Sequence, residues 1–317
     1  MSARTIDLCA GPGGWDEGAR QAGLDLDIEG VELAANAVAT ARAAGFHRIH
    51  EDMRATSLED YADATGLIAS TPCPTFSAAG RGTGRGDDYQ RVLDSWTSIG
   101  WGIDPQEAVD DVFATVEDPR TALLALAGLW ALSLPSLEWI AMEQVPAVEF
   151  AWEDLGAELY SVGWESVDVQ TIDAMDLGVP SRRRRTFLVA SHYRPIAVGL
   201  RRDEHASMAD ALGWPAGHTM NTRGVRRTSG GNDFSADGPS WCLTGRSRTW
   251  ARDDGLRLTA AEAGLLNGFP LDYPWTGSRT SQFQQAGDVV SPPVAAHLLT
   301  EVAAAHALRP ALAEAAA

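Results

Sequence analysis

Cys73, held between Pro72 and Pro74 in the run Ser70-Thr-Pro-Cys-Pro-Thr-Phe-Ser77, puts a thiol on a turn directly after the apolar stretch Leu67-Ile-Ala69. The two prolines restrict φ and remove backbone donors, so the turn is extended and presents its side chain outward. A thiolate placed in this way adds well to electron-poor carbon centres. Taken alone, a proline-flanked cysteine reads equally as a small buried hydrophobe; its chemistry depends on its companions. Glu143 follows the apolar strand Trp139-Ile-Ala-Met142, and a carboxyl leaving a buried strand is costly without a partner or a task. Ser181-Arg-Arg-Arg-Arg185 stands immediately before Thr186-Phe-Leu-Val-Ala190. Arginines at alternate positions entering a strand share a face, so Arg183 and Arg185 are expected at the same rim, one toward a ligand carbonyl and one as support. A solvated basic edge that protects the strand from pairing is the plainer reading of those arginines. Together the three groups suit a cytosine ring. The thiolate would add to carbon 6, the carboxyl would hydrogen-bond ring nitrogen 3 and the exocyclic amine, and a guanidinium would meet the carbonyl.

A second constellation lies at the amino-terminal end. Thr5-Ile-Asp-Leu-Cys-Ala10 reads as a buried strand, Gly11-Pro-Gly-Gly14 as a tight turn, and Trp15 to Ala22 as a helix. Strand, glycine turn and helix form a cradle for a nucleotide-like ligand. The turn matches neither the G-x-G-x-x-G dinucleotide pattern nor a phosphate loop ending in Lys-Ser/Thr. Its glycines instead let backbone approach a bulky, weakly charged ligand. Glu32, closing the strand Leu26–Glu32, is placed to accept from both hydroxyls of a ribose, and Asp52 could accept from an adenine amine. Either acid alone reads as a surface carboxylate; with the glycine turn they fit an adenosine whose other end is a sulfonium.

These groups need a scaffold, and the spacing supplies one. Strand, helix and strand recur within about thirty residues, with the Ala-rich helix Leu33–Ala44 completing the first unit of a doubly wound, mostly parallel α/β sheet. Further strands are expected at Leu67–Ser70, Trp139–Met142, Ser166–Gln170 and Arg185–Ala190, and helices at Pro119–Leu134, Val148–Val162 and Val294–Ala305. Residues 195–257 lose the alternation and become rich in Gly, Ser, Thr and Arg, which points to a separate, irregular module. The Ala-rich tail after Arg309 reads as a frayed helix end.

Composition narrows the class. The 317 residues include no lysine, and the formal charge is −18. Between Gly178 and Arg257, however, fourteen arginines face seven acids, a balance of +7, so the remainder carries −25. An acidic body with one basic quarter points to an anionic partner docked on that quarter, through the group best suited to phosphate and guanine. No apolar run approaches the roughly 18 residues of a membrane span. The amino terminus shows no basic head followed by an apolar core. Cys9, Cys73 and Cys242 are odd in number and far apart, giving neither a disulfide framework nor a zinc motif. A reducing, cytoplasmic setting and no metal are the resulting expectations. A zinc deaminase also handles cytosine, but its Pro-Cys-x-x-Cys signature is missing at Cys73.

In this order the segments resemble the DNA (cytosine-5) methyltransferase family over nearly the whole chain. Asp7-Leu-Cys-Ala-Gly-Pro-Gly-Gly14 is similar to its first motif, Pro72-Cys73-Pro74 to its nucleophile motif, and Glu143-Gln-Val145 to its Glu-Asn-Val motif. Gly178 through Arg185, Leu258 through Pro270, and Gly287-Asp-Val-Val290 are similar to later motifs. The resemblance implies S-adenosylmethionine as cofactor, S-adenosylhomocysteine as product, a cytosine flipped from duplex DNA, and a covalent Cys73 adduct, with Glu143, Arg183 and Arg185 completing the catalytic set. It assigns the cofactor to Asp7, Leu8, Cys9 and Ala10, to Gly11, Gly13, Gly14 and Trp15, and to Glu32, Leu33, Asp52 and Met53. Pro72, Leu123, Asp288 and Val289 complete that assignment. DNA contacts fall to Ser77 and to Arg223, Arg226, Arg227, Arg246, Arg248 and Arg252.

The implied organisation is a catalytic domain over 1–193 with an inserted loop at about 82–117, a target-recognition domain over 194–283, and a returning C-terminal helix over 284–317. A monomer in a prokaryotic or virus-infected cell, with a cognate restriction endonuclease as a further partner, is part of the same expectation. Gln144, Ser181, Asp288 and Ser291 depart from the family's usual asparagine, glutamine, asparagine and proline, and Cys242 stands where threonine is usual. A tRNA-directed relative and a catalytically silent DNA-binding descendant are the rival functions.

Overall fold

The structure, a computed structural model, describes residues 4–72, 76, 86–193, 204–224 and 230–306. Its first half alternates strand and helix: β1 (Arg4–Leu8), α1 (Gly14–Ala22), β2 (Asp27–Glu32), α2 (Ala35–Ala43), β3 (His47–His50) and β4 (Gly66–Ala69). A helical stretch follows, α3 (Asp87–Gly100), α4 (Pro105–Thr115) and α5 (Ala122–Ser133). Then come β5 (Trp139–Gln144), α6 (Glu149–Ser161), β6 (Ser166–Asp173) and β7 (Arg184–Ser191).

The seven strands form one sheet in the order β3-β2-β1-β4-β5-β7-β6, parallel throughout except that β7 runs antiparallel to both neighbours. The central strands β4 and β5 are buried at every residue, as the apolar runs Leu67–Ala69 and Trp139–Met142 require, and β5 ends in the buried polar pair Glu143 and Gln144. Alternate side chains feed opposite faces. Leu67, Ile140 and Leu188 pack beneath α3–α6, whereas Ile68, Ala141 and Val189 pack with α1 and the C-terminal helix.

The segment expected as a loop over about 82–117 is instead a helical hairpin, α3 and α4. Its purpose follows from α5, whose sequence Ala122-Leu-Leu-Ala-Leu-Ala-Gly-Leu-Trp-Ala-Leu-Ser133 is apolar on all sides and must be covered on both. The sheet covers one side and the hairpin the other. Trp96 of α3 is fully buried against Gly128 of α5, where a Cβ would overlap its indole, and its Nε1 donates to the Ala125 carbonyl at 3.3 Å. Asp88 accepts from the Glu117 and Asp118 amides at 2.8 and 3.1 Å, closing the hairpin onto α5.

The remainder comprises α7 (Met208–Leu212), β8 (Thr219–Asn221), β9 (Asp233–Ser235), β10 (Ala251–Arg252), α8 (Ala260–Leu265), α9 (Arg279–Asp288) and α10 (Pro292–His306). Strands β10-β8-β9 make a small antiparallel sheet over its own core of Met220, Phe234, Leu243, Trp250 and Phe283. Helix α10 returns to the large sheet and lies against α1, where Gly18 is small enough for Ala295 to approach. No helix among the described residues is long and apolar enough to cross a membrane.

Candidate active site

Ligands of doubly wound sheets bind outside the carboxyl ends of the strands, where neighbouring connections diverge. Here β1, β4 and β5 end together, and the antiparallel β7 begins at that same rim: Glu143 pairs in register with Phe187 and Gln144 with Thr186, leaving Arg185 beside the end of β5. A cavity of about 730 Å³ opens there. Its wall holds Cys9 to Pro12 and Glu32 together with Glu143, Arg185 and Asp288.

The glycine turn is shaped from below. Arg48 on β3 is fully buried, ion-pairs with Asp16 and donates to the carbonyls of Ala10 and Gly11 at 3.3 Å each. Its register partner on β2 is Gly30, where any Cβ would occupy the guanidinium's place. Those carbonyls are thereby turned toward Arg48. The Gly11 amide in turn donates to Glu32 Oε2 at 2.9 Å, and the Ala34 amide to Glu32 Oε1 at 2.6 Å. Each Glu32 oxygen accepts one amide and retains capacity for another donor. Gly11, at φ +57°, has no atom within 4 Å of where a Cβ would project, so a side chain there would fill the cradle. Cys9 is strained at φ 60° and its sulfur lies 3.3 Å from that of Met53; burial pushes its thiol pKa well up, so it stays neutral. Trp15 closes the floor, donating to Ser70 Oγ at 3.0 Å.

At the reacting end, Arg185 Nε sits 2.8 Å from Glu143 Oε1, an ion pair with no aligned N–H···O bond, so the carboxyl keeps its hydrogen-bonding capacity. Burial raises the Glu143 pKa; Arg185 and then Arg183 oppose the shift, and Asp288 adds to it. The carboxyl therefore takes up a proton more readily than an exposed glutamate does. Gln144 donates to the Thr71 carbonyl and accepts from the Val145 amide at 2.9 Å, tying the end of β5 to the turn that leads into Pro72. Pro72 is in the cavity wall; Cys73 itself lies outside the described residues, as do Ser77, Arg226 and Arg227.

Several expected contacts are placed elsewhere. Arg183 is not in the cavity wall: its buried guanidinium donates to the carbonyls of Gly287, at 2.8 Å, and Val289, which hold it beneath the turn that carries Asp288. Asp52 is held by Arg54, with Nη2 to Oδ2 at 2.6 Å, which lowers its pKa and turns it from the cavity wall. Asp7 is sealed under the turn, where burial raises its pKa well above the ordinary range. Leu8, Gly13, Met53 and Leu123 likewise lie outside the wall, and Leu33 is exposed. Cys9, Ala10, Gly11, Gly14, Trp15 and Glu32 do line it, with Pro72, Asp288 and Val289.

Among the recognition arginines, Arg223 and Arg246 are exposed. Arg252 is neutralised by Asp254, at 3.0 Å from Nε, and lies over Trp214 at 4.8 Å, so it is not a free phosphate contact. Arg248 donates to the Gly245 carbonyl at 2.7 Å. Arg48, Asp16 and Gln284 were not expected at the site. The signal for the first was a glycine facing an arginine across two strands.

The architecture is that of methyltransferases of known structure. It superposes on Entamoeba histolytica EhMeth with a TM-score of 0.63 at 12% identity, covering 95% of this chain and 98% of that one. A Spodoptera frugiperda DNMT2 variant gives a TM-score of 0.62 at 16% identity, covering 95% and 99%. Residues 3–97 match the family described as C-5 cytosine-specific DNA methylase. The type II methyltransferase M.HgiDI of Herpetosiphon aurantiacus is 28% identical over 95% of this chain and 94% of its own length. M.NgoMIV of Neisseria gonorrhoeae is 23% identical over 93% and 95%. The chain is thus similar to C-5 cytosine-specific DNA methylases, through the family match in its first third and through type II methyltransferase relatives over nearly its whole length.

Proposed function

We propose that the protein methylates carbon 5 of a cytosine swung out of duplex DNA, with S-adenosylmethionine as donor and Cys73 bonding transiently to ring carbon 6. The observation that carries this reading is the single cavity joining Glu32 and the glycine turn to the Glu143–Arg185 pair, with the residue before Cys73 in its wall. Its volume suits a nucleoside-sized ligand. When bound, the cofactor supplies an electrophilic methyl group.

The chain's own residues do the rest. Glu32 offers its free lone pairs to the ribose hydroxyls, and Gly11 keeps the cradle clear. Flipping is required because a stacked cytosine hides its carbon-6 face. As the Cys73 sulfur bonds to carbon 6, the electron pair displaced into the ring gathers toward nitrogen 3. Glu143, whose proton affinity burial raises, donates a proton there on base binding, while Arg185 meets the ring carbonyl. Carbon 5 then takes the methyl group. Its proton leaves to a base, the electron pair restores the ring double bond, and the carbon–sulfur bond breaks to regenerate the thiolate.

On this reading residues 1–193 carry the chemistry and 194–283 recognise the target, with exposed Arg223 and Arg246, and with Arg226 and Arg227, as phosphate and base contacts. A cytoplasmic monomer fits it. The type II methyltransferase relatives supply the case for a cognate endonuclease as a partner. The test is transfer of labelled methyl from the cofactor to a mixed-sequence plasmid and, separately, to tRNA, followed by bisulfite sequencing. Label in duplex DNA that disappears with Cys73→Ser, while duplex binding persists, is expected. Label entering RNA alone, or methylation retained by the serine variant, overturns the reading.

A further inference from the structure

We propose that Asp288 makes this site discriminate by charge between the methylated, cationic cofactor and its neutral demethylated product, favouring the former. The inference rests on the function proposed above and concerns how its cofactor site turns over.

Three placements support it. First, Asp288 lies in the wall of the same cavity as Glu143 and Arg185, near enough to Glu143 for its charge to act on that carboxyl. A methyl group destined for a base held by Glu143 must come close to that carboxyl, and the sulfur carrying it would then come close to Asp288. Second, Asp288 is fixed. Arg183 donates to the carbonyls of Gly287 and Val289, one on each side of it, and Gln284 Nε2 donates to its carboxylate. The side chain is exposed toward the cavity, yet its backbone is clamped from both flanks. Third, the two Arg183 amine groups donate to those carbonyls and not to the Asp288 carboxylate, whose hydrogen-bond partner among the described residues is the Gln284 amide.

The two ligands share adenine, ribose, α-amino and α-carboxylate groups and differ in one methyl and one unit of charge. A fixed carboxylate a few ångströms from that sulfur, in a partly hydrated cavity, favours the sulfonium by roughly three- to tenfold. A contact with the α-amino group would favour both ligands alike. The ratio of their affinities therefore isolates the effect.

The test is equilibrium binding of S-adenosylmethionine, S-adenosylhomocysteine and the cationic, non-transferring analogue sinefungin to the full chain, its Asp288→Asn variant, and a Glu153→Gln variant on the exposed face of α6. Asparagine keeps an acceptor for Gln284 and removes only the charge. The expected result is that Asp288→Asn lowers the preference for both cationic ligands over the neutral one by roughly three- to tenfold. That loss should shrink as salt is added, and Glu153→Gln should leave the preference unchanged. Equal weakening of all three ligands, or an unchanged ratio, overturns the inference while leaving the methyltransferase reading intact. Failure of the unmodified chain to bind any of them would instead sink that reading.

Discussion

Arg183 and Arg185 alternate at the start of β7 yet do different work, and exchanging each for methionine separates the two roles. In Arg183→Met two charge-assisted hydrogen bonds to the Gly287 and Val289 carbonyls are lost. At about 1.5–3 kcal/mol each, the gross loss is about 3–6 kcal/mol. Burial already lowers the Arg183 pKa, which shows that the cation is held at a desolvation cost, and its removal returns part of that loss. The net expectation is a destabilisation of about 2–4 kcal/mol, a fall in Tm of about 3–6 °C for a chain of this size. The turn bearing Asp288 shifts with it, so cofactor affinity should drop as well. Arg185→Met should behave differently. Its partner Glu143 can take up a proton once unpaired, so the stability change stays within about 1–2 kcal/mol. Single-turnover methylation should nevertheless fall about 10²–10³-fold, because the ring carbonyl loses its donor. Thermal unfolding, cofactor binding and single-turnover kinetics on both variants decide the matter. If Arg183→Met melts and binds cofactor like the unmodified chain yet has lost turnover, Arg183 reaches the reacting base and the positioning account is wrong.

Two further outcomes follow. Glu143 is needed protonated and burial raises its pKa, so turnover should fall as pH rises through that raised value; Glu143→Gln should cut turnover about 10²-fold or more and abolish that alkaline limb in a pH–rate profile. A limb that survives in the glutamine variant belongs to another group. Gly128→Ala should cost about 1–3 kcal/mol by driving a methyl group into Trp96, and Trp96→Leu should recover part of that loss in the double variant; additive unfolding energies would contradict the packing of the hairpin on α5.

The central strands were legible because they rest on a short-range rule, the continuous apolar runs Leu67–Ala69 and Trp139–Met142, whereas the pairing of Glu143 with Arg185 depends on β7 lying antiparallel beside β5. The alternation points Arg183 and Arg185 to one side, but it could not show that two carbonyls from residues more than a hundred positions away intercept the first of them. Asp52 failed for the opposite reason: a neighbour two residues on, Arg54, claims it locally. The short strand His47-Arg-Ile-His50 was invisible because its arginine is a core residue, tolerated only opposite Gly30. The hairpin over α3 and α4 was readable in principle. A helix with no polar face, Ala122–Ser133, demands a second cover, and the preceding segment, read as a loop, carries Val92, Trp96 and Ile99 at helical spacing.

The direction of β7 is what makes the reacting end possible. A strand parallel to β5 would begin at the opposite edge of the sheet, and the six paired positions between Trp139 and Gln144 would separate its first residues from Glu143 by about 15–20 Å. Because β7 returns antiparallel through the hairpin with β6, its first residues arrive where β5 ends, and Ile172 of β6 fixes Arg185 by direct pairing. The register carries the chemistry as much as the residue types do. A slip of one position would point Arg185 to the other face of the sheet and bring Arg184 toward Glu143, preserving the charge of the segment while destroying its geometry. The eight-residue pairing of β6 with β7, longer than any other in the sheet, is thus a constraint on catalysis as well as on stability.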